Sequence, residues 1–164
     1  RKELKPWLWA NTCPFSRLDV PALGISRIVL AGASGSSLAF GPGHLFGSAA
    51  PGETGNVIIS GHRDTHFAFL QQLKADDTLL LESLDATQVY RVTDTRVIDQ
   101  RESSLIPDVD GDVLLLITCY PFDAIHSGGP YRYVVFAELD PDLTTREDTH
   151  ARFTENHLRK PLAA

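Results

Sequence analysis

The sequence predicts an all-β domain, either a two-sheet sandwich or a closed barrel. Seven short runs have the alternating or continuously apolar pattern of strands, and Gly or Pro residues separate most of them. Between these runs, only residues 66–73 are a good candidate for a helix. Many short strands with few helices are typical of sandwiches and barrels, and a barrel has the advantage that it leaves no exposed strand edge.

The strand candidates follow one another along most of the chain. They are residues 17–20, 26–30, 56–60, 78–82, 88–98, 113–118 and 131–139. Between the second and third candidates, residues 41–55 contain so many Gly and Pro residues that we expect turns there rather than a long regular element. The pattern therefore places one β-rich unit in the middle of the chain.

The length of 164 residues suits a single domain with two terminal segments. Residues 1–16 are expected to be a helical or linker segment, because apolar side chains recur there at helical spacing. Residues 17–139 form the predicted β domain. Residues 140–164 are rich in charged side chains and are expected to be a polar C-terminal tail, as a surface helix or a loose segment.

Charge and hydropathy exclude two classes of function. The net charge is -6 and no run of Lys or Arg is present, which argues against nucleic-acid binding. The longest apolar run, residues 113–117, is far shorter than the roughly 20 residues that cross a bilayer. The chain begins at Arg1 and has no Met, so we expect that an upstream signal or membrane anchor has been removed.

Reactive side chains stand at the predicted ends of three strands. His62 follows the strand at 56–60, Cys119 ends the one at 113–118, and Arg132 opens the one at 131–139. Strand ends suit catalysis because the sheet fixes the backbone while the adjoining loop leaves space for a substrate.

These three residue types together match nucleophilic catalysis by a thiol. A thiol with a pKa of about 8.5 is mostly protonated at neutral pH, and a nearby imidazole or guanidinium increases the thiolate population. The planar fork of an Arg also suits a developing oxyanion. Taken one at a time, Cys119 also fits an inert core thiol, His62 a loop histidine and Arg132 a surface ion pair. Sequence does not fix whether Cys13 and Cys119 pair, but a working thiol must be free.

The order of these motifs resembles the sortase family, whose signature is a Thr-Leu-x-Thr-Cys strand end, an upstream Gly-His and a downstream Arg. The corresponding residues are Leu115-Leu116-Ile117-Thr118-Cys119, Gly61-His62 and Arg132. The resemblance extends over about residues 20–139 and is similar in detail to proteobacterial, class D-like sortases. One departure is the hairpin at 74–77, which lacks the glycine common at that place.

The resemblance implies a closed or nearly closed β-barrel of about eight strands with short helices. It also implies a cysteine transpeptidase that cleaves a C-terminal sorting signal after a threonine and transfers the product to an amine. Cys119 would form the thioester, His62 would move protons and Arg132 would stabilise the oxyanion, with no cofactor and no metal. Thr118, Tyr120 and Tyr131 would contact the peptide.

The same resemblance implies partners and a location. The expected partners are a secreted protein that carries the sorting signal and an amine acceptor at the cell envelope, with no nucleic acid. The expected location is the bacterial cell membrane, reached through a removed N-terminal anchor, with the catalytic domain on the outer side.

Two alternatives remain open at the level of the sequence. A zinc-dependent hydrolase would use His62, His66 and Cys119 as ligands, although Arg63 stands where a zinc protease has its general-base Glu. A non-catalytic barrel would capture a peptide without cutting it.

Overall fold

The sheet closes on itself as an eight-stranded barrel, which confirms the predicted fold class. The computed structural model describes residues 12–102, 109–126 and 128–146. The proposed helical part of residues 1–16 and most of the polar tail lie outside these residues. The strands are β1 (Pro14–Val20), β2 (Ile25–Ala31), β3 (Gly43–His44), β4 (Val57–Ser60), β5 (Thr78–Glu82), β6 (Ala86–Asp99), β7 (Val113–Cys119), β8 (Tyr131–Leu139) and β9 (Thr145–Arg146).

The order of strands around the barrel is β5-β1-β2-β3-β4-β7-β8-β6, and a pairing between β5 and β6 closes it. β9 pairs with β6 beside the barrel. β2 with β3 and β4 with β7 are parallel pairs, and the other pairs are antiparallel. The parallel pair of β4 and β7 brings the ends of two strands far apart in sequence to one edge of the sheet.

The helices are short, as the resemblance implies. The described residues include one α-helix, α1 (Gly35–Leu38), and two 3-10 turns, Pro21–Leu23 and Ala68–Gln72. The helix expected at 66–73 is therefore shorter and tighter than the pattern suggests. No side chain caps its start, and its apolar residues Phe69, Leu70 and Leu73 pack into the barrel, so that tertiary contacts and not helix length determine its form.

Two apolar clusters lie on opposite faces of β4, β7 and β8. Leu114 and Leu116 point into the barrel, whereas Val113, Leu115 and Ile117 point to the other face. There they pack with Ile58, Val134 and Phe136, and Leu45, Ile98 and Val109 cover part of this second cluster. β7 is thus buried on both faces, which explains why its sequence is a continuous apolar run instead of an alternating one.

The hairpin that lacks the expected glycine has an Asp in its place. Asp76 adopts a left-handed conformation with φ of +71°, and it is the single non-glycine residue with a positive φ in the described ranges. Asp tolerates this conformation better than most residues. The Asp77 carboxylate accepts a hydrogen bond from the backbone N–H of Lys74 at 2.8 Å, which holds the turn.

A buried polar group links β6 to the loop that follows β3. The Tyr90 hydroxyl donates to Oε1 of Gln88 at 3.1 Å, and the backbone N–H of Gly52 donates to the same oxygen at 2.7 Å. Tyr90 and Gln88 are both buried. Burial raises the pKa of Tyr90, and the negative charge of Asp112 adds to this effect.

We expect Tyr90 to make stability depend on alkaline pH. Because its folded-state pKa is raised, its contribution is fully present below the unfolded Tyr pKa of about 10 and is lost as pH rises above that value. At neutral pH, the free energy of unfolding of Tyr90→Phe should be about 0.5–1.5 kcal/mol lower than that of the wild type, because one hydrogen bond is lost. Urea denaturation, monitored by circular dichroism between about pH 7 and 11, should show that the difference in free energy of unfolding between the two proteins decreases as pH rises. Parallel curves for the two proteins would contradict this assignment.

Candidate active site

The segment that carries His62 is fixed to β7 by its preceding residue. Ser60 of β4 lies opposite Ile117 of β7, and the next backbone N–H, from Gly61, donates to the Ile117 carbonyl at 3.1 Å. The Thr118 hydroxyl donates to the Gly61 carbonyl at 2.8 Å. Both backbone groups of Gly61 are therefore bound to β7. As a result, the chain enters the loop at His62 beside the end of the strand that carries Cys119.

Gly61 must lack a side chain because of an aromatic ring. A Cβ atom at this position would lie 2.7–2.8 Å from ring atoms of Phe67, which is fully buried. The backbone N–H of Phe67 also donates to the His62 carbonyl at 3.0 Å and closes the turn between them. The close approach of the ring to the backbone thus sets the path of the chain on either side of His62.

Cys119 and Arg132 are direct neighbours across two strands. They are register partners in the antiparallel pair of β7 and β8. Partners of this kind have their side chains on the same face of a sheet, with Cβ atoms about 4.5–5.5 Å apart. Cys119 is two residues after Ile117, and Arg132 is two residues before Val134. Because side chains alternate between the faces of a sheet, Cys119 and Arg132 belong to the same face as Ile117 and Val134, opposite the barrel interior. Both are partly buried, and the Cys119 thiol is free.

The backbone holds the Arg132 guanidinium at one of its nitrogens. Nη1 donates to the carbonyls of Gly129 at 2.7 Å and of Tyr131 at 2.9 Å. Within the described ranges, neither Nη2 nor Nε has a hydrogen-bond partner. An anion that develops near the Cys119 sulfur would therefore meet a cation with N–H groups still free to donate.

His62 is exposed, and the charged residues Arg63 and Asp64 follow it in the chain. The Arg63 guanidinium, by its hydrogen bond, lowers the pKa of Asp64. His66 is half-buried, and burial followed by the positive charge of Arg27 lowers its pKa, against a hydrogen bond with the Ala39 backbone that raises it.

The three residues predicted to contact substrate have different surroundings. Thr118 is buried, and its hydroxyl is used in the bond to Gly61. Tyr120 packs against Phe122 and Tyr133 at ring-centroid distances of 6.2 Å in each case. Tyr131 is 43% exposed at the opening of β8. Substrate contact by these residues stays a prediction.

Arg63 is the component of this region that reasoning from the sequence missed. It is buried with only 7% of its surface exposed, and it donates to backbone carbonyls of the loop after Cys119. Its position directly after the Gly-His pair was a signal, but a charged residue in a loop is ordinarily expected at the surface.

Cys13 is also a free thiol, so the two cysteines do not pair. In the part of the chain that the structure describes, no group of three or more His, Cys, Asp or Glu residues is arranged to hold a metal ion. The zinc site considered from the sequence has no counterpart among those residues. Among the same residues, no helix combines the length and apolar character needed to cross a bilayer.

We expect Gly61→Ala to destabilise the protein by about 1–3 kcal/mol, because the added methyl overlaps the buried Phe67 ring. The matched control is Gly35→Ala, where a Cβ meets no atom within 4 Å. Urea denaturation of both variants checks this. Equal stability of Gly61→Ala and wild type would contradict the close approach.

Comparison with known proteins agrees with this arrangement. A family model described as a sortase domain matches residues 18–140. The chain is 30% identical over 122 residues to sortase D of Bacillus subtilis (strain 168), covering 74% of this chain and 61% of that protein. It is 30% identical over 106 residues to sortase A of Listeria monocytogenes (strain EGD-e), covering 62% of this chain and 47% of that one.

The chain thus spans less than two thirds of the length of these relatives. Among solved structures, sortase C-1 from Actinomyces oris superposes with a TM-score of 0.68 at 31% identity, covering 78% of this chain and 75% of that chain. The sequence motifs, the closed barrel and the extent of the family match lead to one conclusion: this chain belongs to the sortase family.

Proposed function

We propose that this protein is a cysteine transpeptidase that cleaves a C-terminal sorting signal after a threonine and transfers the new carboxyl end to an amine. The observation that supports this most is the register of Cys119 opposite Arg132, with the His62 segment bound to the same strand through Gly61. The proposed nucleophile, proton carrier and cation thus belong to chain segments that are joined at one edge of the sheet. The catalytic unit is residues 17–139.

In the first half of the reaction, the Cys119 thiol gives its proton to His62, and the sulfur attacks the carbonyl carbon of the threonine residue. The carbonyl oxygen becomes an oxyanion, and the free N–H groups of Arg132 stabilise it by charge-assisted hydrogen bonds. When the C–N bond breaks, His62 gives a proton to the departing amine. A thioester on Cys119 remains, and the C-terminal fragment of the signal leaves.

In the second half, an amine attacks the thioester carbon. His62 accepts the proton from this amine, the C–S bond breaks, and the thiolate of Cys119 is regenerated with a new amide bond. The same oxyanion forms, so Arg132 acts twice. Water in place of the amine would give hydrolysis. These steps need no metal ion and no organic cofactor.

The peptide is expected to lie along the exposed side of Cys119. Tyr131 is exposed at the start of β8, and Tyr120 follows the nucleophile directly in the chain, which suits them to contact side chains of the signal. Thr118 contributes by its hydrogen bond to the Gly61 carbonyl, which holds the segment before His62. A class D-like subfamily is part of the proposal on the basis of the motifs at 120–122 and 128–132.

The resemblance also supports a location and partners. We infer an enzyme held at a bacterial membrane by an N-terminal anchor upstream of the described residues, with the barrel on the outer side. Its partners are a secreted protein with a sorting signal and an amine acceptor of the cell envelope.

Cys119→Ala should abolish cleavage of a threonine-containing peptide library and capture of an acyl-enzyme, because only the nucleophile is removed. The variant should keep the wild-type unfolding midpoint. Mass spectrometry of the intact protein after incubation with peptides detects the acyl adduct. Cys13→Ala is the matched control and should retain both activities, since Cys13 directly precedes β1 and lies outside the three motifs. Turnover by Cys119→Ala would exclude the mechanism.

Arg132→Lys should lower kcat by about 100- to 1,000-fold, because a Lys has no fork of N–H groups to bind both the backbone carbonyls and an oxyanion. The control is Arg91→Lys, which changes an exposed ion pair with Asp140 and should leave kcat within about 3-fold. Steady-state cleavage of the best library peptide measures both. A kcat near wild type for Arg132→Lys would remove Arg132 from the oxyanion role.

A further inference from the structure

Arg63 makes an unusual set of contacts for a residue next to a solvent-exposed histidine. Its Nε donates to Oδ1 of Asp64 at 2.9 Å, its Nη1 donates to the Pro121 carbonyl at 2.8 Å, and its Nη2 donates to the Ala124 carbonyl at 3.0 Å. The side chain of Arg63 is only 6% exposed, whereas that of Asp64 is 68% exposed. The guanidinium is therefore inside the protein, with its one carboxylate partner at the surface.

The two carbonyls belong to the loop that directly follows Cys119. The Ala124 N–H donates to the Pro121 carbonyl at 3.4 Å, so the Arg63 fork joins both ends of one turn. In the same loop, Phe122 packs on Tyr133 with ring centroids 5.1 Å apart. The described part of the loop after the nucleophile is thus held by an aromatic contact and by the buried Arg63 guanidinium.

The position of Arg63 in the chain gives these bonds their importance. It follows His62 directly, and the backbone of Gly61 on the other side of His62 is bound to β7. His62 therefore stands between one residue that is tied to the strand before Cys119 and one that is tied to the loop after it. The hydrogen bond to Asp64 raises the pKa of Arg63, and burial opposes this rise.

We propose that Arg63 is a positioning residue for transpeptidation. It fixes the loop after Cys119 relative to His62 and so keeps the nucleophile and the proton carrier in a fixed relative position. This inference rests on the proposed function for the roles of Cys119 and His62. Arg63 acts through its neighbours and does not contact substrate. Its bonds must form in three directions at once, which the rigid planar fork of Arg allows and the single ammonium of Lys does not.

The experiment compares Arg63→Lys, Arg63→Gln and wild type in the full chain. The Lys variant keeps the charge and loses the fork, and the Gln variant loses both. If Arg63 positions the loop, both should lower kcat by about 10- to 100-fold with KM changed less than about 3-fold, since a small misplacement of reacting groups slows chemistry more than binding. Arg91→Gln is the control, because Arg91 is exposed and lies outside the motifs of His62, Cys119 and Arg132.

Hydrogen exchange provides a readout that needs no peptide substrate. The proteolytic fragment that contains residues 120–126 should exchange faster in both Arg63 variants and at the wild-type rate in Arg91→Gln. Unfolding midpoints are measured first, and all assays are run well below the lowest of them, so that global unfolding does not contribute.

Three outcomes would overturn the proposal. Full kcat in Arg63→Lys would mean that charge alone acts, unchanged exchange of the 120–126 fragment would mean that the fork does not hold the loop, and a rise in KM with constant kcat would make Arg63 a binding residue. Failure of wild type to cleave any threonine-containing peptide would instead overturn the proposed function alone, because the exchange measurement reads the loop independently of turnover.

Discussion

The parallel pairing of β4 with β7 is the constraint on which the rest of the site depends. Strands of a parallel pair need a long connection, and here the connection is the whole of residues 61–112, which include β5 and β6. The pairing sets the end of β4 beside the end of β7. Gly61 and Thr118, which are 57 residues apart in the sequence, are thereby joined by a hydrogen bond. A shift of register by one residue would separate them and would also turn the Cys119 side chain to the other face of the sheet.

The second cluster of apolar residues covers the face of β7 that points away from the barrel interior. Because both faces of β7 are covered, the strand is buried from Val113 to Thr118. Cys119 terminates the face that Ile117 and Val134 occupy, and the sheet becomes accessible to solvent where the polar and reactive residues begin. The stable part of the barrel and the candidate site are therefore consecutive parts of the same strands.

Most of the barrel could be predicted from the sequence, because alternating or continuous apolar runs determine strands. The runs at 78–82 and 131–139 match β5 and β8 residue for residue. β3 and β9 are two residues long, too short for any periodicity, so they could not be recognised. In the site, the residue types and their order pointed to Cys119, His62 and Arg132. The burial of Arg63 could not be predicted, because it depends on carbonyls of a loop about 60 residues further along the chain.

The two bonds from Arg132 Nη1 to the carbonyls of Gly129 and Tyr131 have a thermodynamic consequence. A free Arg side chain loses up to about 1.5–2 kcal/mol of rotational entropy when it is immobilised. Here most of that loss occurs when the protein folds, and it is not repeated each time a substrate arrives. For the proposed oxyanion role, this makes Arg132 a preorganised group whose reorganisation adds little to the activation barrier of either chemical step.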